Sequence, residues 1–241
     1  MTITVKLIPC LSDNYAWWVR DDSTGICAVV DPGEAAPVAA FLREEGCGLD
    51  WILLTHHHGD HIAGVAELLA EFGGKVAGAA ADAHRLPPLD LALADGDDFL
   101  LGAAAARVID TPGHTRGHIA FAFASHVFCG DTLFSLGCGR LLEGDAAEMF
   151  ASLGKLTALP DATLVCCGHE YTESNARFAL TVEPDNAELR ARSDEVRAQR
   201  VVGLPTVPTT IAQERAANPF MRAGSAERLA EIRAAKDSFR G

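Results

Sequence analysis

The chain has 241 residues, of which 49% are hydrophobic and 22% are charged, and its formal net charge is −13. This composition is typical of a globular protein with one large core, or with a core and a small appended domain. Apolar runs stay well short of the roughly 20 residues of a membrane helix, and MTITVKLIPC does not resemble a signal peptide. We therefore expect a soluble cytoplasmic protein, and the acidic balance argues against a nucleic-acid partner.

The seven cysteines are irregularly spaced and form no C-x-x-C motif. An odd number without a repeated spacing is not typical of a disulfide framework or of a cysteine zinc finger. Most of them lie in apolar runs such as FCG and LVCCG, so we expect them to be small buried side chains.

The first part of the chain alternates β-like runs with turns. The runs ITVKLIP, AWWVRD, ICAVVDPG and WILLT predict strands. Residues 34–45 predict a helix, because their apolar residues share one face and Gly46 follows. Residues 62–72 carry a second helical pattern, which ends at Gly73.

Strand candidates continue with KVAGA, DFLL, ARVIDT, HIAFAFA and HVFCGDT, before a helix over residues 145–158 and a buried strand in ATLVCCG. Two groups of strands, each finished by helices, predict an α+β fold with two packed sheets and helices outside. Residues 172–200 and 209–240 are helix-like and separated by VVGLPTVPTT. They predict a small helical region at the C-terminus.

The segment THHHGDHIAG, residues 55–64, places four histidines and an aspartate within six residues. Alternate residues of an extended segment point the same way, so His56 and His58 can converge while His57 points elsewhere. Asp60 and His61 then begin a helix and approach from another direction. The two pairs are too differently directed to serve one tetrahedral ion, so the pattern predicts two adjacent metal ions.

Three more candidate ligands each follow a hydrophobic strand: His114 after ARVID, Asp131 after HVFCG and His169 after TLVCC. Loops after such strands gather at one edge of a sheet. Imidazole and carboxylate ligands suit zinc, and also iron or manganese. Two metals about 3.5–4 Å apart can share a water, lower its pKa and polarise a carbonyl, which is a machinery for hydrolysing an ester-like bond.

The order H-x-H-x-D-H, then a lone His, an Asp and a last His, resembles the metallo-β-lactamase superfamily. The resemblance implies a four-layer αββα sandwich over residues 1–171, with a metal site at one edge of the sheets. It implies two divalent ions, zinc first and iron or manganese as alternatives, with Asp60 and Asp131 acting in catalysis beside a metal-bridging hydroxide. The implied ligands are His56, His58 and His114 for one metal, Asp60, His61 and His169 for the other, and Asp131 as the bridge.

Outside the ligands, LSDNYAW, GDTLFSLGCGRLLEG, CGHEYT and NPFMR resemble the glyoxalase II (hydroxyacylglutathione hydrolase) family over essentially the whole chain. The resemblance implies hydrolysis of S-D-lactoylglutathione, or another S-2-hydroxyacylglutathione, to glutathione and D-lactate, the second step of methylglyoxal detoxification. A thiolate whose conjugate acid has a pKa of about 8.5 can leave with little help from a proton donor.

Glutathione carries two carboxylates, which require local cations in so acidic a protein. The resemblance implies a C-terminal substrate-binding domain, residues 172–241, and substrate contacts from Arg140, Tyr171, Arg233 and Lys236. Leu142 stands where some relatives carry an aromatic residue that helps to hold the peptide. We expect a monomer whose partner is this small molecule.

The remaining residues near the motifs have simpler interpretations. We expect His57 to be a bystander that faces solvent or supports a ligand, and His118 to be a packing residue. Asp31, in VVDPG, either hydrogen-bonds a ligand histidine or simply forms a turn. The tripeptide that begins at Asn218, in NPFMR, is expected to be a turn that fixes the C-terminal helices.

Three rival functions remain open at this point. Another hydrolase of the same fold, a lactonase or a β-lactamase, would need the metals but not the C-terminal cations. A glutathione-persulfide dioxygenase would use a single iron, whereas this chain retains both ligand sets. A structural zinc module would be closed and rich in thiolates, which this set is not.

Overall fold

The computed structural model describes residues 2–241, and within them the chain forms two compact units. The first unit comprises residues 2–110, 117–124 and 128–130. The second unit comprises residues 111–116, 125–127 and 131–241. Each unit is described by itself.

The first unit contains a six-stranded sheet whose strands follow one another in chain order. They are β1 (Ile3–Cys10), β2 (Asn14–Asp21), β3 (Cys27–Val30), β4 (Trp51–Leu53), β5 (Lys75–Ala79) and β6 (Leu91–Leu93). The first three strands are antiparallel, and β3 to β6 are parallel. The carboxyl ends of the parallel strands therefore lie at one edge, where loops can bring side chains together.

Helices cover one face of this sheet. They are α1 (Ala35–Glu45), α2 (Gly59–Ile62) and α3 (Val65–Phe72). Leu42 and Leu68 from the helices share a core with Trp18 and Ile52 from the strands, and all four are at most 1% exposed. Burial of such large apolar side chains supplies most of the stabilisation of the layer.

The other face of the sheet packs against a second set of strands in the same unit. These are β7 (Asp98–Leu101), β8 (Ala104–Asp110), β9 (Ile119–Phe123) and the last three residues of β10 (His126–Gly130), with β7, β8 and β9 antiparallel. The rings of Trp51 and Phe99 meet edge to face at 5.2 Å, and those of Trp17 and Phe128 at 6.3 Å. These contacts fill the space between two facing sheets.

The second unit is mostly helical. Its short strands are β11 (Leu133–Phe134), β12 (Gly137–Cys138), β13 (Leu164–Cys167) and β14 (Thr209–Thr210), paired as two antiparallel couples. Its helices are α4 (Ala146–Thr157), α5 (Thr172–Val182), α6 (Ala187–Val201), α7 (Ile211–Ala217) and α8 (Ala226–Ser238). Asp145 begins α4 with a capping box. Its carboxylate accepts from the Glu148 backbone amide, and the Glu148 carboxylate accepts from the Asp145 backbone amide.

The structure differs from the sequence predictions at several elements. The helix predicted over residues 62–72 begins only at Val65, because the Gly64 amide donates to the Pro32 carbonyl oxygen at 2.9 Å instead of to a helical partner. The predicted helical stretch 172–200 is two helices separated at residues 183–186. The short strands β6, β11, β12 and β14 were not predicted, since two or three residues carry too little pattern.

Other predictions concern the whole chain. All seven cysteines are free thiols, six of them buried and Cys47 half-buried, as expected. Within residues 2–241, the longest and most apolar helices fall short of what a membrane crossing requires. The division predicted between a domain of residues 1–171 and a domain of residues 172–241 stays a prediction. Met1, the first residue of the first predicted domain, lies outside the described residues.

Candidate functional site

The histidine cluster follows β4, a central parallel strand, at the edge where the strands end. His56 is fully buried and His58 is half-buried. Nε2 of His56 lies 3.1 Å from Nδ1 of His58. Two nitrogens bound tetrahedrally to one zinc at 2.0–2.1 Å would be about 3.3 Å apart. The pair therefore has the spacing of two ligands of one ion, as alternation along an extended segment predicted.

The second pair of the cluster is carried by α2. Oδ2 of Asp60 lies 3.8 Å from Nε2 of His61, which is 1% exposed. Asn14 holds this aspartate, because its side-chain amide donates to both the carbonyl oxygen and Oδ2 of Asp60 at 3.1 Å. A Cβ at Gly33 would lie 1.9 Å from the same carbonyl oxygen, so only glycine fits beside it.

Asp31 connects both pairs through hydrogen bonds. Its carboxylate accepts from the Thr55 amide at 2.8 Å and the Thr55 hydroxyl at 2.6 Å, and its Oδ2 lies 3.1 Å from Nδ1 of His61. Because the Thr55 hydroxyl donates to Asp31, it accepts from Nδ1 of His56, 3.0 Å away. Both histidines therefore carry the proton on Nδ1 and present Nε2 as the ligand nitrogen.

Asp31 is more than the simple turn residue that was one of its two interpretations. The carboxylate hydrogen-bonds the candidate ligand His61, and the backbone turns at this residue with φ of 50°. A positive φ is uncommon outside glycine, although aspartate tolerates it better than most residues.

Two further histidines of this unit, His57 and His118, contact the cluster without joining the pairs. The ring of His118 stacks on that of His56 with a centroid distance of 4.8 Å and an angle of 20°. A Cβ at Gly130 would lie 2.8 Å from Nε2 of His118, so the strand end before Asp131 requires glycine there. His57 faces Asp82, with its Nδ1 3.0 Å from Oδ2.

The three later candidate ligands meet within the second unit. Oδ2 of Asp131 lies 3.5 Å from Nε2 of His114 and 3.4 Å from Nε2 of His169. All three residues are at most 6% exposed. Nδ1 of His114 donates to the Arg140 carbonyl oxygen at 2.9 Å, which leaves Nε2 as its acceptor nitrogen. One carboxylate oxygen of Asp131 therefore lies close to the Nε2 atoms of both imidazoles.

A cavity of about 450 Å³ opens beside these three residues in the second unit. His114 and Asp131 line it, together with the four predicted substrate-binding residues, Arg140, Tyr171, Arg233 and Lys236. The ring of Tyr171 stacks on that of His169 at 4.5 Å and 8°. The volume suits a ligand of tripeptide size.

The cations of the cavity are held in place by neighbouring oxygens. Arg233 is 6% exposed and donates to the Cys138 carbonyl at 2.8 Å and to Asp237. Lys236 donates to the carbonyl and hydroxyl oxygens of Ser174 at 3.0 Å. Burial first, and then the charges of three nearby arginines, lower the pKa of Lys236 from 10.5 to about 8.

Several residues that shape the site were not singled out from the sequence. Asn14 lies in the LSDNYAW stretch, which was noted only as a resemblance, and Thr55 opens the histidine run. Asp82 and Ser174 had no local signal, because their roles depend on partners 25 and 62 residues away. Leu142, which stands where some relatives carry an aromatic residue, is 58% exposed.

Comparisons with known proteins agree with this geometry. The model of the Metallo-beta-lactamase superfamily matches residues 12–169, and that of the Hydroxyacylglutathione hydrolase C-terminus matches residues 170–239. A protein of Acidiphilium cryptum named hydroxyacylglutathione hydrolase is 55% identical over 237 residues, which are 98% of this chain and 97% of the relative.

Two solved structures are also similar. One is ETHE1 from Myxococcus xanthus, with a TM-score of 0.72 and 26% identity, covering 97% of this chain and 90% of that one. The other is TTHA1623 in a di-iron-bound form, with a TM-score of 0.57 and 34% identity, covering 67% and 90%. The predicted metallo-β-lactamase sandwich with a helical C-terminal region is thereby confirmed. The chain belongs to the metallo-β-lactamase superfamily and, within it, to the hydroxyacylglutathione hydrolase family.

Proposed function

We propose that the protein hydrolyses S-D-lactoylglutathione and related S-2-hydroxyacylglutathiones to glutathione and the 2-hydroxy acid. The observation that carries the proposal is the cavity in which candidate ligands His114 and Asp131 share a wall with Arg140, Arg233 and Lys236. Such a cavity offers cations for the two carboxylates of glutathione beside the residues of the reacting centre. Relatives that are 54–55% identical to this chain are named hydroxyacylglutathione hydrolase, which is the same activity.

Two divalent metal ions complete the proposed site. The donor set fits them, because buried imidazoles present Nε2 or Nδ1 at ligand spacing and their outer nitrogens are hydrogen-bonded. When bound, such a pair of ions supplies a water deprotonated near neutral pH and a Lewis acid for a carbonyl. The proposed ligands are His56, His58 and His114 for one ion, Asp60, His61 and His169 for the other, and Asp131 as the residue shared by both.

The residues of the chain then bind and orient the substrate. Arg233 is positioned by Asp237 and the Cys138 carbonyl, and Lys236 by Ser174, so their charges are fixed before a carboxylate arrives. Fixed donors lose less conformational entropy on binding than mobile ones. Cleavage breaks the C–S bond and forms a C–O bond from water. The thiolate leaves without a side-chain acid because its conjugate acid has a pKa of about 8.5.

The test follows the loss of thioester absorbance with S-D-lactoylglutathione, using protein as purified, after chelation and after metal is restored. We expect hydrolysis that chelation abolishes and added zinc, iron or manganese restores. A fully metallated protein without activity would overturn the assignment of the substrate. Lactones and glutathione persulfide would then be assayed, and oxygen uptake by a single iron would identify a dioxygenase.

Three finer points stay predictions. The identity of each metal is open, since the same ligands suit zinc, iron and manganese, and the similar TTHA1623 was solved in a di-iron-bound form. The monomeric state and the cytoplasmic location are expected from the sequence. Elemental analysis and light scattering on the purified protein address the first two points.

A further inference from the structure

The central histidine of the run is fixed by a carboxylate from the adjacent loop. β5 lies beside β4 in the sheet, and the 3₁₀ turn Ala80–Asp82 follows β5 just as the histidine run follows β4. Asp82 is 2% exposed, and its Oδ2 lies 3.0 Å from Nδ1 of His57. Its Oδ1 accepts from Nε and one terminal nitrogen of Arg85, at 3.0 and 2.5 Å. The buried carboxylate is therefore paired and hydrogen-bonded on both oxygens.

Arg85 also determines which proton His57 carries. Its second terminal nitrogen lies 3.3 Å from Nε2 of His57. A guanidinium can only donate, so Nε2 accepts and the imidazole proton lies on Nδ1, where it is donated to Asp82. Both ring nitrogens thus face protein partners, which explains why His57 stays outside the ligand pairs although it lies between two candidate ligands.

The position of Asp82 is itself constrained. Its carbonyl oxygen accepts from the amides of Arg85 and Leu86 at 2.8 and 3.1 Å, which closes the turn. A Cβ at Gly117 would lie 2.3 Å from Cγ of Asp82, so the backbone at Gly117 packs directly against the carboxylate. The group that holds His57 is therefore built into the fold rather than drawn from a mobile surface side chain.

Anchoring the middle residue of an extended tripeptide fixes the directions of its two neighbours. The ring of His57 also contacts that of His58, with centroids 4.9 Å apart. A backbone rotation that freed His57 would therefore also change the directions of His56 and His58. Their ring nitrogens converge to 3.1 Å, and small angular errors at a metal ligand weaken binding. Entropy also favours the anchor, since the segment is ordered before any ion arrives.

We propose that His57, Asp82 and Arg85 form a positioning clamp that sets the affinity of the metal held by His56 and His58. The clamp rests on the proposed metal site, but it acts without touching metal or substrate. It makes His57 a positioning residue and neither a ligand nor a bystander.

The experiment compares three variants with the unaltered protein by the rate and midpoint of zinc transfer to a chromophoric chelator. His57→Ala removes the anchor. His57→Asn keeps an N–H donor close to the position of Nδ1 and tests rescue. His84→Ala removes an exposed histidine of the same loop and is the matched control. Thermal melts of the metal-free proteins identify any loss of fold.

We expect His57→Ala to bind zinc 10–100-fold more weakly, as changes behind a ligand typically do. His57→Asn should recover most of that loss, His84→Ala should bind as the unaltered protein, and KM for the thioester should change little while kcat falls at limiting zinc. Equal zinc affinity in His57→Ala, or an Asn variant as weak as the Ala variant, would refute the clamp. An unaltered protein that binds no zinc, iron or manganese would instead refute the proposed function.

Discussion

At the scale of single residues, the geometry of the site depends on which side-chain atoms their neighbours have already engaged. Asp31 fixes His61 directly and His56 through Thr55, so one carboxylate sets the proton positions of two candidate ligands. Lys236 is in a different situation, because burial first, and then the neighbouring arginines, lower its pKa to about 8. Each residue makes a separate prediction.

Replacing Asp31 by Asn should lower zinc affinity about 10–100-fold, because an amide cannot accept from Thr55 and His61 as a carboxylate does. Equilibrium dialysis against zinc measures this change. Asp194→Asn, on the exposed face of α6, is the control and should bind zinc normally. Unchanged affinity in Asp31→Asn would show that the ligand histidines orient themselves.

Lys236 should give the enzyme a pH-dependent KM. Its charged form is complete well below pH 8 and is lost as pH rises through its lowered pKa of about 8. Because a substrate carboxylate binds the charged form, KM for the thioester should rise above pH 8, by up to tenfold per pH unit. In Lys236→Arg the cation persists, so the rise should disappear. A KM profile shared by both proteins would exclude Lys236 from substrate binding.

At the scale of elements, the loop after α7 holds the hairpin of β11 and β12. Asn218 is fully buried, and its amide donates to the carbonyls of Phe134 and Gly137 and to the Glu214 carboxylate, at 3.0–3.1 Å. Glu214 in turn accepts from the Leu136 amide. The turn expected at NPFMR is thus observed, and it supports residues that line the cavity, Phe134 and Cys138 among them.

Truncating Asn218 to Ala should lower the free energy of unfolding by about 2–4 kcal/mol, because two buried carbonyls and a buried carboxylate lose a donor. Urea unfolding followed by circular dichroism measures the change. Arg197→Ala, in an exposed ion pair of α6, should stay within about 0.5 kcal/mol of the unaltered protein. If the free energy of unfolding of Asn218→Ala changed as little as that of Arg197→Ala, water would be replacing the lost donor.

The elements also show what a sequence can reveal. Helix α1 was predictable because periodicity and Gly46 agree, and Gly46 indeed adopts the left-handed conformation with φ of 64°. The late start of α3 was not predictable, because it depends on a hydrogen bond from the Gly64 amide to the carbonyl of Pro32, which lies 32 residues earlier. The same holds for the site. Its candidate ligands stand in a recognisable local order, whereas Asn14, Asp82 and Ser174 contact partners that are distant in sequence and are brought close only by the fold.

At the scale of the whole molecule, charge and metal act together. The chain carries a net charge of −13, yet its cavity collects Arg140, Arg233, Lys236 and Arg240. An anionic substrate is therefore repelled by the protein at long range and attracted only close to the cavity. The affinity for the substrate must therefore come from local cations and metal ions, and not from long-range electrostatic attraction.

Removing the metals should lower the melting temperature of the whole protein, since the proposed ligands extend from residue 56 to residue 169 and bind metal only when folded. Free zinc at 100 times its Kd would stabilise the fold by about 2.7 kcal/mol for each site. Differential scanning calorimetry with and without chelator measures the shift. In the double variant His56→Ala, His58→Ala, chelation should shift the melting temperature less than in the unaltered protein. An equal shift in both proteins would mean that the metal binds elsewhere.

The burial of the cysteines has a consequence for an enzyme whose product is a thiol. Cys138 lines the cavity, but burial raises its pKa to about 11, and it raises that of Cys167 to about 12. Only about one in 10,000 of the Cys138 side chains, and about one in 100,000 of those of Cys167, is a thiolate at pH 7. Since only a thiolate attacks a disulfide, Cys138 is a poor nucleophile toward oxidised glutathione that reaches the cavity. The protein can thus release glutathione under oxidative stress without being captured as a mixed disulfide at its own site.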